Sequence, residues 1–461
     1  MRHDNSIHAK TPAPGPPSDE PAAASRTLPR IGPNLARPTQ VRYQVLAVAC
    51  SLAVLTYVLR QSFVGGAPYL KEALDLNDEE VGYLAAVWLI AYGAFQVPGG
   101  LLGDWFGARH LLTLLVVGWS LLTAAVALTV FLPSGGWQPF AFLLLIRFLF
   151  GALQAGGFPA LARVLADWMP LRQRGFAQGL VWTFSRLGGA LAPLLYLWLL
   201  RACGGWAPPF WLLACLGLLW CAGFWPWFRN RPGDMKRVND AERDLIESGR
   251  PLAQTQAGPL PWSCFLRSRN VWALCLMYGF VGFAGNFITS LLPVYLRDHR
   301  RLSDEATAWL SGLPLACGIV SCLLGGVLSD WLIRRLNDRK WGRRLVGLIS
   351  LVLAGISVWF IPQVEEVWLL AALFSAMFFF SDANMGPSWA SCADVGERYA
   401  GTLSGAMNMA GAFLGAAGMA FAGYCFKRGW DMPVFLVFAC SYGLASLCWL
   451  AVDVTKPLKR V

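Results

Sequence analysis

The chain has 461 residues, 56% of them hydrophobic and 14% charged, with a formal net charge of +11. Soluble domains average about 25% charged residues, so the composition excludes an ordinary soluble domain and points to a protein that lives in a bilayer. The basic balance alone would allow nucleic acid as a partner, so the placement of the charges has to decide.

Residues 1–42, with "TPAPGPPSDEPAAASRTLPR", are rich in Pro, Ala and Arg and lack an apolar core. They predict a disordered tail, not a cleavable signal peptide. A bilayer core about 30 Å thick asks for about 20 apolar residues per helix. Six such runs follow, at 43–66, 81–102, 110–132, 139–165, 175–200 and 208–228. A polar stretch at 229–269 comes next, and its "NDAERDLI" predicts a short surface helix capped by Asn239 or Asp240. Six more runs, at 270–296, 307–331, 343–362, 366–392, 402–424 and 431–453, precede a polar end at 454–461. The expected organisation is a first bundle over 43–228, a central loop over 229–269, a second bundle over 270–453 and cytoplasmic tails at 1–42 and 454–461.

With twelve spans and the amino terminus inside, 27 of the 38 Lys and Arg fall on the inner side, 7 outside and 4 within spans. This is the positive-inside pattern of a multi-pass plasma (inner) membrane protein with both termini cytoplasmic, and it leaves no nucleic-acid surface. Cys50, Cys215, Cys317, Cys322 and Cys440 lie inside spans as small hydrophobes, and no CxxC or CxxxH spacing suggests a metal. The 22 Trp are expected in interfacial belts and packing. There is no nucleotide loop, no metal cluster and no nucleophile beside a base, so neither an enzyme nor a cofactor is expected.

The segment "GGLLGDW" at 99–105 recurs as "GGVLSDW" at 325–331, identical at five of seven positions and displaced by 226 residues. Each copy ends an even-numbered span and enters an inner loop. Two six-helix bundles in parallel repeat, with a site between them near the midplane, account for this pattern.

"GGLLGDWFGAR", Gly99 to Arg109, resembles the signature loop of the major facilitator superfamily. The resemblance implies that all-α fold, twelve transmembrane helices in two six-helix bundles related by a pseudo-two-fold axis. Gly100, Asp104, Gly107 and Arg109 carry its gate motif, and Gly326 and Asp330 its repeat; the basic residue usual after the Asp is Trp105 here. In that family the Asp sits near the amino-terminal end of a helix in the opposite half, which implies a latch of the outward-facing state. "ADWMPLRQRGFAQGL", "RNRPGDMKRVNDAE", "LLPVYLRDHRRLS" and "ADVGERYAGTLSGAMNMAGA" together resemble the anion:cation symporter branch, which includes sugar-acid transporters and vesicular glutamate and sialic acid carriers.

Four basic residues fall within spans: Arg60, Arg147, Arg163 and Arg186. Arg163 lies close enough to the inner loop to snorkel to the interface. An Arg near a helix centre costs roughly 2.5 to 3.5 kcal/mol, so the other three need a partner or a watery cavity. Of the 27 Asp and Glu, only Asp382 stands well inside a span, in the second half, and His3, His8, His110 and His299 lie in the tail, at a span edge or in a loop. The cations of the first half therefore outnumber their protein counter-charges. An anionic ligand would supply the balance, since the guanidinium fork bonds two oxygens of a carboxylate or phosphate. Helix-packing arginines capped by carbonyls are the alternative.

Related symporters carry Asp-Arg in the first helix, and in the fourth an Arg followed seven residues later by Glu. Here these positions hold Leu59-Arg60 and Arg147 with Gln154. The resemblance thus carries the anion site onto Arg60 and Arg147, with Arg186 completing it, but not the proton coupling that the missing carboxylates serve. Tyr57, Tyr92, Gln96 and Gln154 in the first half, and Asn286, Thr289, Ser381, Asn384 and Asn408 in the second, are candidates to line the cavity. Asp382, a lone intramembrane acid, is the coupling candidate. The expected function is secondary transport of a small organic anion, a carboxylate or sugar acid, by alternating access; coupling to a proton or sodium ion either rests on Asp382 or is absent, leaving exchange or facilitated diffusion. An organophosphate exchanger is the alternative, although the second Arg expected in its seventh helix is missing from 270–296; a non-transporting membrane sensor on the same scaffold is another.

Overall fold

The structure, a computed structural model, describes residues 37–134, 136–248, 260 and 262–458. Most of the expected tail, part of the central loop and the last three residues lie outside them. The first half comprises α1 (Val41–Leu74), α2 (Asp78–Ala94), α3 (Gln96–Phe106), α4 (Ala108–Ala127), α5 (Trp137–Ala155), α6 (Gly157–Trp168), α7 (Arg174–Cys203) and α8 (Pro208–Trp227). Short helices α9 (Asp240–Glu247) and α10 (Trp262–Arg267) lie in the central loop. The second half comprises α11 (Arg269–Ser290), α12 (Leu292–Val294), α13 (Asp304–Leu336), α14 (Arg339–Phe360), α15 (Val367–Ala383), α16 (Met385–Gly396), α17 (Ala400–Phe426) and α18 (Asp431–Ala451).

These elements make twelve passages. Four are interrupted: α2 and α3 bend by 46° at Phe95, α5 gives way to α6 at Gly156, α11 to α12 at Leu291, and α15 to α16 at Asn384. The continuous apolar stretch Val367–Phe426 holds 60 residues, about 90 Å of helix, and folds back on itself so that α16 packs against α17. It therefore counts as two passages. The break at Gly156 has a packing cause, because a Cβ on Gly99 would stand 2.5 Å from the Gly156 Cα. There α3 meets the start of α6 backbone to backbone.

The first helix outruns its apolar stretch, continuing through Lys71 and Glu72 until Asp75 turns left-handed and its N–H closes on the Lys71 carbonyl. Hydropathy marks where a helix leaves lipid, not where its backbone hydrogen bonds stop. Within the first half α1 lies along α7 and α2 along α5; within the second α11 lies along α17 and α14 along α18. The halves meet where α7 lies on α13 and α16, and where α17 lies on α3 and α6. Among the tryptophans expected in belts and packing, Trp119, Trp168, Trp389 and Trp449 take the packing role, each fully buried.

The last residues of the expected tail, Arg37 to Arg42, are held by the central loop. Asn239 caps α9 by accepting the Glu242 N–H at 3.0 Å, and its Nδ2 donates to the Arg37 carbonyl. The Glu242 carboxylate accepts from the Val41 N–H at 2.9 Å, the Arg42 N–H at 3.1 Å, Arg42 Nη1 at 3.0 Å and the Thr39 hydroxyl. Gln40 at the start of α1 supplies no side-chain cap, so Glu242 caps that helix from 200 residues away. Burial pushes the Glu242 carboxyl up, but these donors outweigh it and hold the group below its ordinary 4.5. Its stabilisation is therefore complete above about pH 4.5 and is lost as pH falls through the lower folded value. Glu242→Gln is expected to lower the melting temperature at pH 7 through a loss of about 1 to 3 kcal/mol, with the gap to wild type closing as pH falls below 4.5. Thermal unfolding across that pH range measures it.

Candidate functional site

Both ends of the described chain lie on one face, and there the two halves are tied together. Asp104, in the last turn of α3, accepts from the Gly401 N–H at 3.1 Å, the Thr402 N–H at 2.8 Å and the Thr402 hydroxyl at 2.6 Å, at the start of α17. Asp330, in α13, accepts from the Gly175 N–H at 3.1 Å and the Phe176 N–H at 2.6 Å, at the start of α7. Donors and acceptors alike are related by the 226-residue displacement of the sequence repeat. Each carboxylate sits on free N–H groups, at the positive end of a helix in the opposite half. Gly100 and Gly326 let these helices approach: a Cβ on Gly100 would stand 2.4 Å from the Gly401 carbonyl, and one on Gly326 2.2 Å from that of Gly175.

Other ion pairs surround these caps. Arg174 crosses between halves to Asp394 at 2.8 Å, and Asp394 also faces Arg339 at 3.5 Å and Arg343 at 3.6 Å. Arg343, fully buried, donates to Asp330 at 2.8 Å. Arg163 does not simply snorkel to the interface, since it pairs with Asp167 at 2.8 Å and donates to the Arg398 carbonyl of the other half. Arg109, expected in the gate, instead fastens α4 to α8: its Nε and Nη2 donate to the Trp225 carbonyl at 3.0 and 2.7 Å, and its backbone N–H to Asn230. Gly107 makes the turn before it at φ +77, where a Cβ would stand 2.4 Å from Asn230 Nδ2.

Between the halves is a cavity of about 390 Å³. It gathers Tyr57, Arg60 and Gln61 from α1, Tyr92 from α2, Trp182 and Arg186 from α7, Tyr278, Asn286 and Thr289 from α11, Ser381 and Asp382 from α15, and Asn408 from α17. Asn408 Nδ2 donates to the Tyr92 hydroxyl at 3.2 Å, joining the two halves across it.

The candidate cations take three different environments. Arg60 lines the cavity beside aromatic rings, its guanidinium 4.1 Å from the Trp88 ring centre, 5.4 Å from Tyr57 and 5.6 Å from Tyr92. Among the described residues no carboxylate lies within 4.0 Å of it. Arg186 takes the one intramembrane acid as its counter-charge, since its Nε and Nη2 donate to the two Asp382 oxygens at 2.8 Å each. A pairing between the two halves, 196 residues apart in sequence, had no local signal.

Arg147 is not in the cavity lining. It is 4% exposed, its Nε donates to the Leu84 carbonyl at 3.3 Å, and its guanidinium lies 4.2 Å from the Phe63 ring centre. The carbonyl-capped alternative describes it, because the faces of Phe63 and Trp88 accommodate a cation where no acid is present. Gln154 is buried, donating to the Thr56 carbonyl at 3.0 Å, Gln96 is buried too, and Asn384 is tied to Trp449 and Met277; none of these lines the cavity. Trp182, Tyr278 and Gln61 do line it; the two aromatics carry no signal in an apolar span, whereas Gln61 beside Arg60 is polar and could have been found from residue order.

Residues 49–419 match the Major Facilitator Superfamily. A protein named as a probable sulfoacetate transporter of Cupriavidus necator is 29% identical over 419 residues, covering 90% of this chain and 94% of its own. One named as a probable galactarate/D-glucarate transporter of Escherichia coli is 27% identical over 425 residues, covering 89% and 94%. Among solved structures, a proton:xylose symporter superposes with a TM-score of 0.70 at 14% identity, over 90% of this chain and 97% of that one. These relatives are transporters, not enzymes. Two six-helix halves, the repeated helix-capping carboxylates and the family match lead to one conclusion: this chain belongs to the major facilitator superfamily.

Proposed function

We propose that the protein is a secondary transporter of small organic anions, a carboxylate or sugar acid. It works by alternating access, with halves 43–228 and 270–453 rocking about the cavity and the face of the chain ends turned to the cytoplasm. The observation that carries this is Arg60, a cation without a carboxylate partner among the described residues, at the wall of a cavity between two transporter halves. A cation left so in a membrane interior is held for an anion. Tyr57, Tyr92, Asn286 and Asn408 bring hydroxyl and amide groups suited to the hydroxyls of a sugar acid. The compounds named for the two relatives, sulfoacetate and galactarate or D-glucarate, belong to the same chemical class. Uptake and counterflow of these acids by vesicles containing the purified protein test the proposal, and no flux of any of them would sink it.

Asp382, the acid of the cavity, is the group on which coupling rests. Asp382→Asn is expected to abolish accumulation driven by a pH gradient and to spare counterflow into preloaded vesicles. Full gradient-driven accumulation by the variant would place the coupling ion elsewhere.

A further inference from the structure

Among the described residues, three charged side chains line the central cavity, and their arrangement is uneven. Arg186 commits two guanidinium nitrogens to Asp382, a two-point pair that joins α7 of the first half to α15 of the second. Arg60 faces aromatic rings. Asp382 therefore cancels one of the two cations, and the empty cavity carries a net charge of +1.

We propose that Asp382 sets how many negative charges the ligand carries, taking up one proton whenever a dianion binds. With Asp382 ionised, a monoanion on Arg60 leaves the occupied cavity neutral. With Asp382 protonated, Arg186 loses its ionic partner, and a dianion held by Arg60 and Arg186 leaves the cavity neutral as well. A dianion beside an ionised Asp382 leaves one negative charge uncompensated in a site walled by Trp182, Tyr278 and Phe378, and burying such a charge is costly. The step is a protonation only: one O–H bond forms on the carboxylate with a proton from solution when the dianion enters, and breaks when it leaves.

Among the described residues that line the cavity, Asp382 is the one carboxylate. Facing Asp382 are Arg186 on α7 and the Cys322 thiol on α13, whose Sγ lies 3.7 Å from Oδ2. Tyr57 on α1, Tyr278 on α11 and Tyr442 on α18 are phenols that interact electrostatically with the pair. The ionisable residues of α14 and α16 that form ion pairs do so on the face of the chain ends, with Asp330, Asp394 and Asp453.

The proposal rests on the transport function above, and two sugar acids separate them. D-Glucarate and D-gluconate share a hydroxylated six-carbon chain and differ in carrying two carboxylates or one, all ionised between pH 6 and 8. Calorimetric titration of the purified full-length protein, in two buffers of different protonation enthalpy, counts the protons taken up. About one proton per glucarate and none per gluconate is expected, with glucarate affinity falling roughly tenfold per pH unit from 6 to 8 and gluconate affinity constant. Asp382→Asn imitates the protonated acid, so it should abolish proton uptake, flatten the pH dependence and improve glucarate binding over gluconate at pH 8 by roughly tenfold or more. A residue of merely structural importance would not tighten binding when replaced. Proton-free binding of glucarate to the wild type overturns the charge rule alone, and that measurement stands even if the variant does not fold. Equal weakening of both acids in a folded variant overturns it too, and binding of neither acid to the wild type removes the sugar-acid function together with the rule.

Discussion

Arg60→Gln is expected to weaken binding of the transported anion by roughly ten- to hundredfold while the protein still inserts and purifies. A charge-assisted hydrogen bond to a carboxylate is worth about 1.5 to 3 kcal/mol, which sets that range. Folding should survive because Arg60 has no acid among the described residues to leave orphaned; its neighbours are the rings of Trp88, Tyr57 and Tyr92, which a shorter neutral side chain leaves intact. Arg147→Gln should behave in the opposite way. Its guanidinium fills a buried site against Phe63 and the Leu84 carbonyl, so its loss is expected to lower thermal stability and to leave affinity in the folded protein within a few-fold of wild type. Calorimetric binding of sulfoacetate or glucarate to both variants, each with its melting curve, measures the contrast. Normal binding by Arg60→Gln would move the anion to another part of the cavity.

That contrast marks the limit of what the sequence makes legible. Charge within an apolar run is visible from residue order alone, so all three central arginines stand out, and the "GGxLxDW" repeat locates both helix-capping carboxylates. Twelve passages follow from hydropathy because lipid imposes a length on every spanning helix. Which face of its helix an arginine occupies does not follow. Arg60 and Arg147 occupy equivalent-looking apolar surroundings, yet one lines a cavity and the other a crevice among α1, α4, α5 and α8, a difference set by helix rotation. The Arg186–Asp382 pair and the cap that Glu242 places on α1 are equally hidden, since each joins residues about 200 positions apart through the fold alone.

Replacing both helix-capping carboxylates, Asp104→Asn with Asp330→Asn, should open the face of the chain ends. Each aspartate accepts hydrogen bonds from N–H groups at the start of a helix in the other half, so each contributes only when the halves are closed on that side. An asparagine keeps one acceptor oxygen but loses the charge that the helix end favours, at a cost of about 1 to 2 kcal/mol. The two sites are separate and bias the same two-state equilibrium, so their effects should add to about 2 to 4 kcal/mol, a shift of roughly thirty- to a thousandfold between conformations. The single variants should differ in one respect. Asp330 also pairs with the fully buried Arg343, whereas the hydrogen bonds to Asp104 come from neutral donors of α17, so Asp330→Asn should lower the melting temperature more than Asp104→Asn. A cysteine at Thr289, exposed at the cavity wall, reports the state through its rate of alkylation, measured against the same chain without that cysteine. The rate should fall in Asp104→Asn and fall further in the double variant. An unchanged rate in the double variant would mean that the repeated carboxylates stabilise the fold but do not hold the two halves closed.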